Sequence, residues 1–355
     1  QTAFCDYNVT VWLRSEGSIE RTKAKLEWVK NSYIDAINLM AMPEGKSFNN
    51  WCRGIADADS FNKDELINKV MGLSDKIKLE LDMKKALEDA DLVIESMAED
   101  FEAKKDLYLK MSPLLQEETI VVTNSSTMLP SKLAKYTGRP DKFLALHFAN
   151  SIWKNNTAEV MVQPKTEEKY FNEVMEFAKG IRMIALPLKK EKSGYLLNSM
   201  LIPLLFSGLD LYVNGVSDFE SIDKAWLLGT GAPKGPFQIL DTVGLETAYN
   251  IVEMYLKIPS FLAPYNFKGM AKVLKEYIDA HPFGKEEINI TVKRNNKEKK
   301  VVVVPQMTKL YSSGFVYNLA RDKQSVGGVL KYSLVEVRYE INTVLKSLKM
   351  LVTGK

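Results

Sequence analysis

The stretch that decides the fold is VVTNSSTMLPSKLAKYTGRPDKFLALHFANSIWKNNTAE, which runs from Val121 to Glu159. A β-branched run ending at Thr123 leads into a polar turn, residues 124–127, and a second apolar run over residues 143–146 ends in His147. A third strand is predicted to begin around Glu159. Polar side chains at the ends of successive buried strands are what an open α/β sheet presents to a ligand. The stretch therefore predicts an α/β fold with its site at the strand ends.

Strands and helices alternate on both sides of this stretch. Apolar periodicity predicts strands at 8–13, 77–81, 92–95 and 182–186, and helices at 19–37, 63–71, 83–90, 99–115, 130–136 and 167–180. This alternation predicts a doubly wound, mostly parallel sheet over residues 1–188.

The pattern changes at the basic run that begins at Lys189. Four segments of helical period follow with no strand between them, at 194–212, 218–228, 235–256 and 267–280. An all-α domain is therefore predicted over residues 189–287. Residues 288–355 form an unassigned extension, with a hairpin predicted from residue 288 and an amphipathic helix at 334–351.

Composition excludes several classes of protein. Of 355 residues, 46% are hydrophobic and 26% charged, and the net charge of +3 is too even to indicate a nucleic-acid partner. The longest apolar stretch, residues 195–209, is too short and too polar to span a bilayer. Cys5 and Cys52 are the only cysteines and lie far apart, so neither a disulfide scaffold nor a metal site is expected, and a cytoplasmic location is predicted.

His147 is the focus of the expected chemistry, because His281 is the only other histidine and does not follow a strand. A neutral imidazole can take up a proton near neutral pH, and a carboxylate on its other nitrogen fixes the tautomer. Glu159, at the start of the next strand, can provide that carboxylate, and Ser126 can add a hydroxyl. The alternative is that His147 is a structural residue and that the serines form an ordinary turn.

Several motifs occur in one order along the chain: DADLVIES from Asp89, then TNSST, ALHFAN, AEVM, GYLLNSMLIPLL and GTGAPKGPFQILDTVGL. In this order and spacing the chain resembles the 3-hydroxyacyl-CoA dehydrogenase family over residues 1–281. The resemblance implies a Rossmann-like dinucleotide-binding domain, NAD or NADP as cofactor, and reversible hydride transfer to a 3-hydroxy/3-keto substrate. It assigns His147 as general acid or base, Glu159 as its partner, and Ser126 and Asn198 as ligands of the substrate oxygen. It also places Glu99, Lys104, Ser126 and Asn150 along the cofactor.

Within that family the segment from Ser151 to Asn156 is most similar to the diketoreductase and L-gulonate dehydrogenase branch, which includes lambda-crystallin. This similarity implies a small β-keto or β-hydroxy substrate without CoA. The alternatives are a 3-hydroxyacyl-CoA or 3-hydroxybutyryl-CoA dehydrogenase of fatty acid metabolism, and a non-catalytic, crystallin-like structural protein. The resemblance further implies a homodimer, with the helical domain as the interface, and an active site between the two domains.

The chain departs from the family pattern in three places. The sequence has no G-x-G-x-x-G loop, so the first strand and glycine loop are expected upstream of Gln1. An acidic residue that would hold the ribose hydroxyls of NAD is replaced by Leu13, and Arg14 follows it. Arg14 suits a 2′-phosphate and thus NADPH, unless it is only a solvated loop residue. The family's glycine-rich ending is not found after Phe283.

Overall fold

The structure is a computed structural model and describes residues 1–47, 50–280, 288–294 and 297–303. The chain divides into two compact units, residues 1–234 and residues 235–355. The sequence places its first boundary at Lys189 instead, and the domain limits stay a prediction.

Seven strands form the sheets in the described part of the first unit. They are β1 (Val9–Trp12), β2 (Ile77–Glu80), β3 (Leu92–Glu95), β4 (Ile120–Thr123), β5 (Phe143–Phe148), β6 (Thr157–Met161) and β7 (Ile184–Leu188). Strands β1 and β2 pair in parallel, and the other five form one sheet in the order β3-β4-β5-β6-β7. Within these described strands only the β5–β6 pair is antiparallel. The predicted mostly parallel sheet is confirmed.

Eight α-helices belong to the described part of the same unit. They are α1 (Ile19–Met40), α2 (Lys63–Met71), α3 (Met83–Leu87), α4 (Phe101–Met111), α5 (Pro130–Ala134), α6 (Glu168–Gly180), α7 (Leu197–Val213) and α8 (Phe219–Thr230). Helix α4 ends where Pro113 enters a short 3₁₀ turn, as its position in the sequence indicates.

Both faces of the five-stranded sheet are covered, and β4 shows how. Val122 packs in a cluster with Val174 of α6, whereas its neighbour Val121 packs on the opposite face with Tyr108 of α4 and Leu133 of α5. Successive residues of a strand point to opposite faces, so a strand covered on both sides reads as a continuous apolar run. All four residues of β4 are buried, which explains why the run that ends at Thr123 does not alternate.

The second unit begins with helices α9 (Pro236–Val243), α10 (Leu245–Tyr255) and α11 (Phe267–Ala280). The sequence predicts one helix over 235–256, and this expectation was wrong. Gly244, at φ +92°, ends α9 and starts α10, because its backbone takes a conformation that a helix cannot continue.

Strands β8 (Ile288–Arg294) and β9 (Lys297–Val303) are antiparallel, with Ile288 opposite Val303, which confirms the predicted hairpin. His281 and the helix predicted at 334–351 lie outside the described residues. Within the described residues, no helix combines the length and the apolar character needed to cross a membrane.

Candidate active site

His147 and Glu159 are direct cross-strand partners in the β5–β6 register. The antiparallel pairing brings their side chains together, and Nδ1 of His147 lies 3.0 Å from a carboxylate oxygen, Oε2, of Glu159. Both side chains are buried, so water does not compete for this contact. The sequence prediction of the pair is thus met, with one correction. His147 lies inside β5, which runs on to Phe148, and β6 begins two residues before Glu159.

The second carboxylate oxygen of Glu159 holds the start of α7. Oε1 accepts the backbone N–H groups of Leu196, at 2.8 Å, and Leu197, at 3.0 Å. The first N–H groups of a helix have no partner inside the helix, and the helix dipole favours negative charge there. Glu159 therefore joins the imidazole to the helix that carries Asn198.

Ser126 completes the chain of contacts on the other side of the imidazole. Its Oγ lies 3.2 Å from Nε2 of His147. The turn that carries Ser126 is fixed by Glu99, whose carboxylate accepts the Ser125 hydroxyl at 2.8 Å and the Ser126 backbone N–H at 2.5 Å. Asn124 ties the same turn to β5, because its side-chain oxygen accepts the Phe148 N–H at 3.0 Å.

Tyr195 also belongs to this site, although the sequence reasoning missed it. Its ring stacks on the His147 imidazole with centroids 4.3 Å apart and planes 16° apart. Its hydroxyl donates to the Ser125 carbonyl at 2.6 Å. Burial, aided by the nearby carboxylates of Glu99 and Glu159, raises the pKa of the Tyr195 phenol, so it remains a donor. In the sequence, Gly194 indicates a turn at this point, but it does not show in which direction the next side chain, Tyr195, points.

Asn198 lies in the first turn of α7, in the same compact unit as His147, and is half-buried. Among the described residues it makes no hydrogen bond to His147, Glu159 or Ser126. It follows Leu196 and Leu197 in the chain, whose backbone N–H groups donate to Glu159. Its role on a substrate oxygen stays a prediction.

Lys104 lies inside the domain. Its ammonium group donates to Glu95 at 2.7 Å and to the Met97 carbonyl at 3.3 Å, and its side chain is 1% exposed. The same carboxylate accepts the hydroxyls of Tyr108 and Thr123. Lys104 thus pairs with Glu95 here, and its predicted contact with a cofactor stays a prediction.

The remaining predicted cofactor residues are on the surface. Arg14 and Asn150 are exposed, and so is Glu99 apart from its contacts with the serine turn. Arg14 lies two residues after Trp12, the last residue of β1, and follows the buried Leu13. The neighbouring segment from Ser151 to Asn156 folds back onto the domain, because Trp153 packs against Tyr33 of α1 with ring centroids 5.2 Å apart.

Comparison with known proteins decides the family. The model of the NAD-binding domain of 3-hydroxyacyl-CoA dehydrogenase matches residues 46–191, and the model of the C-terminal domain of the same enzymes matches residues 194–292. The chain belongs to the 3-hydroxyacyl-CoA dehydrogenase family. A solved diketoreductase structure, from work on dual catalysis of dicarbonyl compounds, is 42% identical, with a TM-score of 0.65 over 79% of this chain and 87% of that one.

Curated members of the family are more distant in sequence. The mitochondrial hydroxyacyl-coenzyme A dehydrogenase of Homo sapiens is 33% identical over 54% of this chain and 59% of its own length. The 3-hydroxybutyryl-CoA dehydrogenase of Clostridioides difficile is 34% identical over 47% of this chain and 59% of its own length. The chain thus spans about three fifths of the length of these curated relatives.

The residues at the strand ends of this 3-hydroxyacyl-CoA dehydrogenase family member fit a nicotinamide cofactor. Strands β3 to β7 all lie within the part that the NAD-binding model matches. An exposed carboxylate (Glu99), a hydroxyl (Ser126) and an amide (Asn150) follow successive strands, next to the buried imidazole. These groups can hold ribose hydroxyls and a carboxamide at the carboxyl edge of the sheet, where open α/β folds bind dinucleotides.

Proposed function

We propose that this protein is a nicotinamide-dependent oxidoreductase that interconverts a 3-hydroxy and a 3-keto compound, with His147 as general acid and base. The observation that supports this most strongly is the continuous chain from Glu159 through His147 to Ser126, with contacts of 3.0 and 3.2 Å. A buried imidazole with a carboxylate on Nδ1 and a serine hydroxyl beside Nε2 is arranged to exchange a proton with a substrate oxygen that this hydroxyl orients.

The tautomer follows from the partners of the ring. Glu159 can only accept at Oε2, so the proton of neutral His147 lies on Nδ1 and Nε2 is left with its lone pair. In oxidation, Nε2 takes the hydroxyl proton of the substrate, and Glu159 stabilises the imidazolium that forms. In reduction, the imidazolium returns this proton to the oxygen. Ser126 and Asn198 orient that oxygen, and the cofactor, when bound, supplies or accepts the hydride.

The substrate we propose is a diketoreductase-like β-keto ester or acid without CoA. The likeness to diketoreductase, 42% identity over 79% of the chain, supports this choice. The alternative is a CoA thioester, as the names of the human and C. difficile relatives suggest. A crystallin-like structural role is less well supported, because such a role does not require His147 and Glu159 to be buried against each other.

Arg14 supports a further proposal, that NADPH is accepted. It is exposed in the turn that follows β1, and a guanidinium group binds a phosphate in a bidentate manner. Arg14→Ala should lower kcat/KM for NADPH about tenfold and leave that for NADH within twofold. An unchanged kcat/KM for NADPH would contradict the proposal and leave Arg14 as a solvated loop residue.

A homodimer in the cytoplasm is also proposed. Apolar side chains on and beside α7 and α8 are exposed in the single chain, among them Met200 at 67% and Leu228 at 85%. Exposed apolar groups of this kind are typical of a covered interface. Light scattering on the purified protein should give twice the mass of the chain, and a monomer at micromolar concentration would contradict the proposal.

One activity screen tests the proposed function. NADH and NADPH are each offered with acetoacetyl-CoA, a 3,5-diketo ester and the oxidation product of L-gulonate, and cofactor oxidation is followed optically. The expected result is turnover of the diketo ester with a higher kcat/KM than the CoA thioester. A clear preference for the thioester would move the assignment to the CoA-linked alternative. If no pair of cofactor and substrate were turned over, the proposal that this protein is an oxidoreductase would be contradicted.

A further inference from the structure

Tyr195 is joined to both sides of the proton-transfer site. Its ring is 1% exposed and lies parallel to the imidazole of His147 at a centroid distance of 4.3 Å. A face-to-face contact of this kind prevents rotation of the imidazole about its Cβ–Cγ bond. The ring also closes the face of the imidazole that Glu159 and Ser126, which bond within the imidazole plane, leave uncovered.

The hydroxyl of Tyr195 binds the serine turn. It donates to the Ser125 carbonyl at 2.6 Å. This carbonyl is part of the peptide bond to Ser126, and the Oγ of Ser126 contacts Nε2 of His147. One side chain therefore fixes the imidazole plane and the position of the hydroxyl beside it. A Phe at this position would keep the stack and lose the second contact.

The backbone shows that this placement is imposed by the surroundings. Tyr195 has φ +52°, and it follows Gly194 at φ +80°. For a residue with a bulky side chain this conformation is strained, so it persists only where neighbouring contacts outweigh the strain. The Tyr195 carbonyl accepts the hydroxyl of Ser199, and the next two N–H groups go to Glu159. The start of α7 is thus locked around the tyrosine.

We propose that Tyr195 is a positioning residue, which holds His147 and Ser126 in register for proton transfer and aligns the first turn of α7, with Asn198, toward them. This inference rests on the proposed function for its kinetic consequence. Its structural part, the control of the imidazole by the tyrosine ring, stands apart from any reaction. The two parts are tested by different measurements.

The kinetic test compares Tyr195→Phe and Tyr195→Leu with the parent chain. Loss of the hydroxyl should lower kcat about fivefold, the value of one neutral hydrogen bond, with KM within twofold. Loss of the ring should lower kcat on the order of 10²-fold, because small misplacements of reacting groups have effects of this size. Tyr170→Phe is the matched control. It removes a buried tyrosine hydroxyl that bonds Glu118, which precedes the amino end of β4, whereas His147 lies near the carboxyl end of the parallel strand β5, and it should leave kcat unchanged.

The structural test is ¹⁵N NMR of the imidazole. The chain has two histidines, so a His281→Gln background leaves His147 as the single signal. We expect one defined tautomer in the parent and in Tyr195→Phe, and averaged nitrogen shifts in Tyr195→Leu. If Tyr195→Leu does not fold, as judged by circular dichroism, Tyr195→Phe still tests the hydroxyl through kcat.

The outcomes separate the two claims. Averaged shifts in Tyr195→Leu with no turnover by the parent chain would support the positioning of His147 and contradict the proposed function. An active parent whose kcat and imidazole shifts are unchanged in both variants would overturn the role of Tyr195. A loss confined to KM would also overturn it, because it would make Tyr195 a binding residue.

Discussion

Glu159 uses its two carboxylate oxygens for different purposes. Oε2 lies 3.0 Å from Nδ1 of His147, and Oε1 accepts the N–H groups of Leu196, the N-cap of α7, and of Leu197, its first residue. A carboxamide in its place could serve only one of these partners as an acceptor and would present an N–H group to the other.

Glu159→Gln should therefore lower kcat by about 10²-fold or more, because it disturbs the tautomer of His147 and removes the charge that stabilises the imidazolium. Steady-state kinetics measure the effect. Glu176→Gln, which removes an exposed carboxylate paired with Lys179, is the control and should retain full activity. Activity of Glu159→Gln within threefold of the parent would show that the carboxylate is structural.

Asp6 forms a second charged contact, far from His147 in the sequence. Its two oxygens each lie 2.6 Å from an ammonium group, one of Lys69 and one of Lys76, and they hold the pKa of Asp6 down at about 2. A carboxyl group whose pKa is lower in the folded state than in the unfolded state stabilises the fold at pH values above its unfolded-state pKa. That stabilisation is lost as the pH falls from about 4 toward 2.

Asp6→Asn should thus lower the urea midpoint at pH 7, and the difference from the parent should shrink below pH 4. Asn tolerates the left-handed backbone at this position, where φ is +68°, so the substitution isolates the charge. Asp59→Asn, also exposed and outside the ion pairs of the described residues, is the control. A difference that does not change with pH would show that the charge of Asp6 is not the cause.

A buried polar network joins β3, β4 and α4. Glu95 of β3 is 3% exposed and accepts from Lys104 and Tyr108 of α4 and from Thr123 of β4. Removal of one partner of a buried ion pair leaves an uncompensated charge in a medium of low polarity. The network therefore fixes α4 to the strands beneath the serine turn.

Lys104→Met should destabilise the fold by about 3–5 kcal/mol, measured by urea denaturation. The double variant Glu95→Gln/Lys104→Met removes both charges and should recover a large part of that loss. Equal stability of the single and double variants would show that the charge of Glu95 is not the source of the effect.

The segment after β5 is held against an earlier loop at Gly54. The Gly54 N–H donates to the Trp153 carbonyl at 3.1 Å. A Cβ atom on Gly54 would lie 2.9 Å from the carbonyl oxygens of both Ile152 and Trp153, closer than real Cβ contacts come. The close approach of two backbones requires a glycine here.

Gly54→Ala should lower stability by about 1–3 kcal/mol, because one of the two loops must shift. Thermal denaturation measures this, and Gly72→Ala is the matched control, since a Cβ there meets nothing within 4 Å. That control should be neutral or slightly stabilising. Equal effects of the two substitutions would contradict the close contact.

Elements of the fold could be predicted where a short apolar run marks a strand or where a helix has a clear start. Helix α2, which Asn62 caps through the Glu65 N–H, and β3 were predicted to the residue. The break at Gly244 was not, because a glycine inside a helical pattern does not by itself show a positive φ. The start of α7 was predicted at Gly194, three residues too early, because the pattern did not show the positive φ of Gly194 and Tyr195.

At the scale of the molecule, sheet topology assembles the candidate site from separate parts of the chain. The β5–β6 pairing sets His147 opposite Glu159, the β4–β5 pairing brings the serine turn to their side, and the turn that precedes α7 places Tyr195 on the imidazole. The sequence predicted the histidine, its carboxylate and the serine, since strand ends meet at one edge. The second use of Glu159 and the stacked tyrosine depend on side-chain directions that no periodicity encodes.

His147→Gln is the most direct test of the central claim, that this imidazole transfers the proton. Cofactor binding, followed by fluorescence of the reduced nicotinamide, should match the parent, because the substitution leaves the exposed residues of the strand ends in place. In the same assay kcat should fall by about 10²–10⁴-fold, the contribution of a general acid and base. A His147→Gln protein that binds cofactor normally and keeps more than about a tenth of the parental kcat would contradict this account.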